Sequence, residues 1–271
     1  MAVVVVTDSS CCLDPELVDR YDIRVVPLHV IADGQDLREG VDALPDDLAT
    51  VTTSGPSPAE LTEAYTSALA DSDGDGVVAV HLSRLLSGTW DAARSAADEL
   101  GERIRLVDSR NTAMGLGFAA LDAAKAARAG EDLDQVFYRA EKVAASARTL
   151  LVVDRLDHLR RGGRIGTATA LLGTALAMKP VLHLVEGKLV LREKTRTMTK
   201  AMAKLVDGVV AEAGPGALVA VHHRDAPERA GQLVEQLSER LPEAEVTVTE
   251  LDAVLGAHVG PGAVGVVVAH A

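Results

Sequence analysis

The sequence predicts an α/β fold, with a doubly wound parallel sheet in its first half and an α+β arrangement in its second half. Three observations predict it. Short apolar runs alternate with helical segments up to residue 148, and several of these runs end in hydroxyl-bearing residues. After residue 148, hairpin patterns mix with helical ones. We therefore predict an N-terminal α/β domain over residues 1–148, with a small hairpin excursion near 23–50, and a C-terminal α+β domain over 149–271.

Three short segments of the first half predict strands of the parallel sheet: Val3 to Val6, which is a continuous apolar run, Val77 to Leu82, which we expect to be buried as well, and Ile104 to Val107. Asp33-Gly34 predicts the turn of a hairpin. The polar, proline-rich stretch 52–58 predicts a loop without regular structure. Further predicted elements are a strand over 23–31, helices over 15–21, 58–69, 113–129 and 133–147, and a helix from Ser87-Gly88-Thr89 to about Leu100.

The sequence of the second half predicts strands and helices in mixed order. A helix over 155–165 is closed by glycines, and His258 lies in a glycine-rich loop from Gly256 to Gly262. The apolar segment from Ile165 to Met178 predicts either a buried core helix or a helix that lines an acyl tunnel. Other predicted elements are a hairpin over 181–192, strands over 150–153, 217–221, 246–250 and 266–269, and helices over 197–213 and 227–241.

Composition excludes several classes of function. The formal net charge of −13 disfavours nucleic-acid binding, which needs a basic face. Aromatic residues make up 2% of the chain, so stacking platforms for bases or sugars are largely excluded. Cys11 and Cys12 are adjacent, which predicts two reduced structural thiols, and no spacing resembles a zinc site. The N-terminus lacks a signal-peptide pattern, and no segment is apolar enough to span a bilayer, so we expect a cytoplasmic protein.

Two hydroxyl-rich segments are candidates for holding an anion. Ser87-Gly88-Thr89 stands at a predicted helix start, where free N–H groups and the positive end of the helix dipole suit negative charge. Thr53-Ser54 lies in the predicted loop. Taken alone, each is explained more simply as a helix cap or a turn. In open α/β sheets, however, ligands bind beyond the carboxyl ends of the strands.

Two further residues have suitable chemistry. Arg164 follows the Gly162-Gly163 pair, and arginine is suited to carboxylates and phosphates. His258 could donate a hydrogen bond or titrate near neutrality. The glycine spacing around residue 163 is not that of a nucleotide-binding P-loop.

The motifs together, in their order along the chain, resemble the DegV family, the fatty-acid-binding subunits of bacterial fatty acid kinase. The resemblance covers nearly the whole chain. It rests on Thr7-Asp8-Ser9, Thr53-Ser54-Gly55-Pro56-Ser57, Leu86-Ser87-Gly88-Thr89, Val107-Asp108-Ser109, Leu159-Arg160-Arg161-Gly162-Gly163-Arg164-Ile165, Lys179-Pro180-Val181, Arg196 and Gly256-Ala257-His258-Val259-Gly260-Pro261-Gly262.

The resemblance implies a protein that binds one long-chain fatty acid between its two domains and serves phospholipid metabolism. It implies that Thr53 and Ser87 hydrogen-bond the carboxylate. The residues that it implies around them are Ser54, Gly88, Arg164 and His258. Arg196 would face a separate ATP-binding kinase subunit, which phosphorylates the carboxylate. This chain would itself be non-catalytic, without a cofactor or metal, and would make transient membrane contact for acyl exchange.

Two departures from the family pattern concern the entrance to that site. Gly55 stands where the family commonly has glutamine, and Arg84-Leu85 replaces a usual serine- and glycine-rich stretch. The sequence leaves open the preferred acyl length and unsaturation, the affinity and the oligomeric state.

An alternative function is a hydrolase of acyl esters or thioesters that uses Ser87 as nucleophile and His258 as base. Against it, Leu85 and Leu86 precede the serine, so the Gly-x-Ser-x-Gly elbow is missing. Asp8 and Asp108 stay open as partners that would orient the histidine.

Overall fold

The computed structural model describes residues 3–165 and 178–271. The first part of the chain contains a parallel sheet of four strands: β1 (Val4–Asp8), β2 (Arg24–Val26), β6 (Val77–His81) and β7 (Ile104–Asp108). Their order in the sheet is β2-β1-β6-β7, so the chain reverses its direction of winding between β1 and β6. The carboxyl ends of these two strands therefore form the topological switch point of the sheet.

Both faces of this sheet are covered by helices. The helices are α1 (Pro15–Arg20), α2 (Pro58–Asp71), α3 (Thr89–Leu100), α4 (Met114–Arg128) and α5 (Leu133–Ser146). Val4 and Val6 pack on one side with α2 and α3 residues, whereas Val3 and Val5 belong to the core on the α4 and α5 side. Burial on both faces explains why β1 and β6 consist mostly of apolar residues.

Side chains cap the starts of the first two helices. The Asp14 side chain accepts from the Glu16 N–H at the start of α1, and Ser57 and Glu60 form a reciprocal capping box at the start of α2. Cys11 and Cys12, in and just after a short 3-10 turn (Ser9–Cys11), are free and buried. Among the described residues, no helix is long and apolar enough to cross a membrane.

A separate sheet of three antiparallel strands corrects two predictions. It consists of β3 (His29–Ala32), β4 (Gln35–Arg38) and β5 (Thr52–Ser54). The single strand predicted over 23–31 is wrong: β2 and β3 join different sheets and are separated at Pro27, which has no N–H to donate. The loop predicted over 52–58 is wrong at its start, because Thr53 pairs with Val30 of β3. The predicted Asp33-Gly34 turn is confirmed, since both residues have positive φ between β3 and β4.

The last part of the chain forms a six-stranded mixed sheet in the order β10-β9-β8-β13-β11-β12. All neighbouring pairs are antiparallel except β11 and β12. One face packs against α7 (Met198–Glu212) and α8 (Pro227–Arg240), and the other faces the first part of the chain. The strands are β8 (Arg148–Val152), β9 (Lys179–Val185), β10 (Lys188–Thr195), β11 (Leu218–His223), β12 (Glu245–Glu250) and β13 (Val264–Ala269).

Two short helices beside this sheet differ from the predictions. The helix predicted over 155–165 is only α6 (Asp157–Arg161), which ends at Gly162. The predicted glycine-rich loop around His258 is wrong in its first part, because His258 lies on α9 (Ala253–Val259). The apolar segment from Ile165 to Met178 lies, apart from its two end residues, outside the described residues. The division at residues 148 and 149 stays a prediction; β8 begins there.

Candidate ligand-binding site

A cavity that is partly open to solvent lies between the carboxyl-end loops of the parallel sheet and the inner face of the six-stranded sheet. Its largely apolar wall, with a few polar groups, is typical of small-molecule sites. The wall is built from the loops after β6 and β7, the three-stranded and six-stranded sheets, α6 and α9. Its apolar side chains include Leu28, Leu82, Leu86, Leu151, Leu159, Leu184, Leu189, Leu251, Val254, Leu255 and Val259.

Gly265 opens space in the sheet face. It lies on β13 between His222 of β11 and Leu151 of β8, which are its cross-strand partners. Gly265 itself lines the cavity, and a Cβ at this position would lie 3.3 Å from the Leu150 carbonyl oxygen and 3.4 Å from Leu151 Cβ. Two polar residues of this wall direct their hydrogen bonds into the protein. Thr149 donates to the Asn111 side-chain oxygen at 2.5 Å, and His222 Nε2 accepts from the Met114 N–H at 3.3 Å.

The polar part of the wall centres on a pair of side chains from distant segments. Thr53 Oγ1 on β5 lies 2.8 Å from His258 Nε2 on α9. The antiparallel pairing of β5 with β3 sets the position of Thr53. Both side chains line the cavity and are partly buried.

Reciprocal packing of glycines and histidines holds α6 against α9. A Cβ atom on Gly162 would lie 2.2 Å from His258 Nδ1, and a Cβ on Gly260 would lie 2.5 Å from His158 Cδ2. Only glycine permits these approaches. The glycines near Arg164 and His258 therefore serve close packing of two imidazole rings.

The surroundings keep His258 neutral. Burial, followed by the positive charges of Arg164 and Arg161, lowers the pKa of its imidazole from 6.5 to about 4. The Thr53 hydroxyl can then donate to Nε2, or accept from it in the other tautomer.

Ser87 and Thr89 form the turn that starts α3. Ser87 Oγ lies 2.9 Å from Thr89 Oγ1 and accepts from the Thr89 N–H at 3.3 Å. Gly55 packs directly against this turn, because a Cβ there would lie 2.5 Å from Thr89 Oγ1. Gly55, which stands where the family commonly has glutamine, thus lies where the end of β5 closely approaches the start of α3.

Arg164 connects the α6 turn to the Ser87 loop. Its Nε donates to the Leu86 carbonyl oxygen at 2.9 Å, and its Nη1 donates to the Gly162 carbonyl oxygen. The contacts close a ring of neighbours around one part of the cavity. The ring runs from Thr53 through His258, Gly162, Arg164, Leu86, Ser87, Thr89 and Gly55 to Ser54.

The structure thus brings most of the predicted site residues together. Cavity-lining positions are occupied by Thr53, Ser54, Ser87, Arg164 and His258. Gly88 lies outside the wall, exposed at the cap of α3, with open space where a Cβ would stand. Arg196 is exposed in the short link between β10 and α7, away from the cavity wall. Arg84, also outside the wall, lies over the Trp90 ring at 5.5 Å.

The Ser87–His258 dyad of the hydrolase hypothesis is not formed among the described residues. Ser87 Oγ bonds within its own turn, and His258 Nε2 faces Thr53. The lowered pKa of His258 also makes it a poor general base at neutral pH.

Of three buried groups near the site, the sequence suggested a role only for Asp8, as a partner that would orient the histidine of a hydrolase, and none for His222 or Glu39. Asp8, at the switch point, accepts from the Leu82 N–H at 2.9 Å and lies 3.0 Å from His81 Nδ1. His222 was not singled out, although burial lowers its pKa to about 4. Glu39 accepts from the Val254 N–H of α9 at 2.7 Å. Thr7-Asp8-Ser9 belonged to the recognised motifs, whereas nothing local to Glu39 or His222 signals these long-range contacts.

Comparison with known proteins identifies the family. The model described as "Uncharacterised protein, DegV family" matches residues 2–271. A DegV domain-containing protein of Mycobacterium tuberculosis is 52% identical over 273 residues, covering 99% of this chain and 97% of the relative. A Thermus thermophilus DegV family protein, solved for its fatty acid binding, superposes with a TM-score of 0.92 at 33% identity, with 100% of both chains covered. DegV of Bacillus subtilis, described as a fatty acid binding protein, has a TM-score of 0.87 at 32% identity, again over 100% of both chains. The chain belongs to the DegV family.

Proposed function

We propose that this protein binds a single long-chain fatty acid in the cavity and presents its carboxylate to a separate ATP-dependent fatty acid kinase subunit. One observation carries the binding proposal: a mainly leucine- and valine-lined cavity has a ring of hydroxyl, imidazole and guanidinium groups in one part of its wall. The solved relatives described as fatty-acid-binding proteins support the same ligand class.

The ring suits a carboxylate head group. Hydroxyls of Thr53 and Ser87 supply donors, with Ser54 beside them, and Arg164 supplies a positive charge. Neutral His258, with its proton on Nε2, can donate to the Thr53 oxygen, which leaves the Thr53 hydroxyl proton free to donate to the carboxylate. Gly88 would contribute only through the backbone at the α3 start, since it lies outside the wall.

The apolar wall suits the acyl tail. Each methylene transferred from water contributes about 0.8 kcal/mol, so a long chain needs few polar anchors for tight binding. Thr149 Oγ1 and His222 Nε2 do not oppose this, because their hydrogen bonds go to Asn111 and Met114 rather than into the cavity. The tail would therefore follow the sheet face past Gly265.

The carrier role needs the carboxylate to be reachable by a partner. Ser54 is exposed and Ser87 partly so, which is consistent with a head group at the cavity mouth. In this proposal, the exposed Arg196 lies on the surface that meets the kinase. The protein is cytoplasmic and exchanges its acyl chain during transient contact with a membrane. This chain would supply binding and orientation only, and the kinase would supply ATP and the phosphoryl transfer.

Lipid extraction of freshly purified protein, followed by mass spectrometry, tests the binding proposal. We expect one fatty acid per chain, and delipidated protein should take up palmitate or oleate. Protein that is empty on purification and also fails to take up either acid would overturn the proposal.

A reconstituted reaction tests the presentation proposal. Loaded protein, a purified fatty acid kinase subunit and ATP should yield acyl phosphate. Arg196→Glu should lower the rate without changing palmitate affinity, whereas Lys194→Glu, a charge reversal at an exposed β10 residue, should have a smaller effect. Equal rates for both variants would remove Arg196 from the partner surface.

A further inference from the structure

We propose that Glu39 is a positioning residue for the head-group end of the cavity: it sets where α9 holds His258 against Thr53 and makes that geometry depend on its own protonation. This role of Glu39 rests on the proposed function, but its first test needs no ligand.

Glu39 joins three separate segments. Its Oε1 accepts from the Val254 N–H in the first turn of α9 at 2.7 Å. Its Oε2 accepts from the Ser9 hydroxyl at 2.5 Å, and that hydroxyl accepts from the Leu28 N–H at 2.9 Å. The side chain is buried, with the residue only 6% exposed. One carboxyl group thus links the hairpin, the turn after β1 and α9.

These contacts lead directly to the candidate site. Glu39 follows β4, which pairs with β3, and β3 pairs on its other edge with the strand that carries Thr53. Helix α9 carries His258 one turn beyond Val254. Glu39 therefore connects Thr53 and His258, whose side chains meet at 2.8 Å in the cavity wall. It reaches Thr53 through the three-stranded sheet and His258 through its hydrogen bond to α9.

The electrostatic surroundings of Glu39 are unfavourable to its charge. It forms no ion pair with any lysine or arginine in the described part of the chain. Asp252, at the start of α9, and Asp8, the last residue of β1, face it with negative charge. Cys12 Sγ lies 3.8 Å from Asp252 Oδ2, and Arg224 and Glu250 act on Asp252 with opposite signs.

Ionisation of Glu39 would leave a buried negative charge close to Asp252 and Asp8, so the carboxylate should move towards water, and α9, which is hydrogen-bonded to it through Val254, should shift with it. Burial raises the pKa of Glu39 from 4.5 to about 7, against the lowering effect of the Ser9 and Val254 hydrogen bonds. The folded protein prefers the protonated acid, so this contribution to stability is full below pH 4.5 and is lost as pH rises through 7. Burial likewise raises the pKa of Asp252 to about 6, so the two carboxyl groups act in the same direction.

The first experiment follows the His258 imidazole by NMR in ligand-free protein between pH 5.5 and 8.5, with its signals assigned through His258→Gln. Because the pKa of His258 is about 4, its own titration contributes little there. We expect a step in its signals centred near pH 7 that is absent in Glu39→Gln. Glu39→Gln, a neutral isostere, should also melt at a higher temperature than the wild type at pH 8. A wild-type protein without the step near pH 7, or a step near pH 7 that persists in Glu39→Gln, would overturn the proposal, whereas a step near pH 6 in that variant belongs to Asp252.

Three further variants control this result. Glu63→Gln removes the same charge from an exposed position on α2 and should leave the step unchanged. Asp252→Asn should keep a step, moved to lower pH by the loss of a neighbouring charge. Ser9→Ala removes a bond that favours the ionised form, so it should move the step to higher pH. Loss of the step in Glu63→Gln, or an unmoved step in Ser9→Ala, would contradict the assignment to Glu39.

The second experiment measures binding of palmitate and of 1-hexadecanol, which has the tail without the carboxylate. Palmitate affinity of the wild type should fall about fivefold or more between pH 6 and pH 8. Hexadecanol affinity should change less, and Glu39→Gln should bind palmitate equally at both pH values. A palmitate affinity that falls equally in the wild type and in Glu39→Gln would refute the coupling. If the wild type binds neither compound, the proposed function fails, and the His258 titration still decides the role of Glu39.

Discussion

Two histidines in this protein make short hydrogen bonds to hydroxyl groups, yet their surroundings differ. His81 is fully buried, 2.7 Å from the Tyr65 hydroxyl and 3.0 Å from Asp8 Oδ2. His258 is partly exposed at the cavity wall, 2.8 Å from Thr53, and its Nδ1 faces Gly162. Both imidazoles connect segments that are remote in sequence.

The two clusters differ in whether all their polar groups have partners within the protein. Burial, and then the charge of Asp8, raises the pKa of the Tyr65 phenol far above its ordinary value, so Tyr65 stays protonated and can donate to His81 Nε2. Both His81 nitrogens then have partners, and none of the three side chains is accessible to a ligand. The His258 cluster has no carboxylate of its own among the described residues, but it borders an apolar cavity. A satisfied network stabilises the fold, whereas an incomplete one can bind an anion.

The largest effect should come from breaking the His81 cluster. Asp8→Ala leaves the Leu82 N–H, the Ser10 hydroxyl and His81 Nδ1 without their buried acceptor. We expect a loss of about 3–5 kcal/mol in the free energy of unfolding, measured from urea midpoints. Asp14→Ala, which removes an exposed helix cap, should cost about 1 kcal/mol. Equal losses would show that the buried network contributes nothing beyond an ordinary cap.

A smaller effect should come from forcing the His258 ring to move. Gly162→Ala places a Cβ where His258 Nδ1 now lies, so we expect a loss of about 1–3 kcal/mol in unfolding free energy. The matched control is Gly231→Ala on α8, where no atom lies within 4 Å of the new methyl group. That variant should be more stable by about 0.5–1 kcal/mol, because alanine favours a helix interior. The same sign for both variants would argue against the glycine–histidine contact.

Removing the hydroxyl partner of His258 should affect binding more than folding. Thr53→Val keeps the shape of the β5 side chain but loses its donor. Palmitate affinity, measured by calorimetry on delipidated protein, should fall about 5- to 30-fold, which is about 1–2 kcal/mol. Thr52→Val, at the exposed neighbouring position, should leave affinity unchanged. A loss of stability without a loss of affinity would place Thr53 with His81 as a structural group.

The smallest effect should appear on acidification. The lowered pKa of His258 means that its neutral form is favoured in the folded protein, so stability is lost as pH falls from 6.5 through about 4. His258→Gln should lose about 1 kcal/mol less than the wild type between pH 6.5 and pH 4, a discounted value because the ring is partly exposed. Urea midpoints at the two pH values measure this, and parallel losses in both proteins would show that His258 does not titrate in this range.

Much of the fold could be predicted because its signals are local. The strands Val4–Asp8 and Val77–His81 begin with runs of apolar residues, since helices cover both faces of their sheet. The Ser57 cap and the Asp33-Gly34 turn each depend on a few adjacent residues. Such features are determined by residues that are neighbours in the sequence.

The site was less predictable because its geometry depends on distant partners. Thr53 lies on a strand only because β3 is available to pair with it. His258 lies on a helix although Gly256 and Gly260 flank it, since these glycines accommodate Arg224 and His158 rather than a loop. Glu39 is one carboxylate among many on an exposed hairpin until α9 covers it. The resemblance to the DegV family located the candidate residues without describing these contacts.

The position of β13 has a consequence for the order of assembly. It is the last strand in the chain, yet it lies in the middle of the six-stranded sheet, between β8 and β11. Before it is inserted, β8–β10 and β11–β12 have no strand that joins them, and the Gly265 wall of the cavity does not exist. The Thr53–His258 pair spans 205 residues of sequence. During synthesis from the N-terminus, the parallel sheet can form early, whereas the cavity is completed only after nearly the whole chain has left the ribosome.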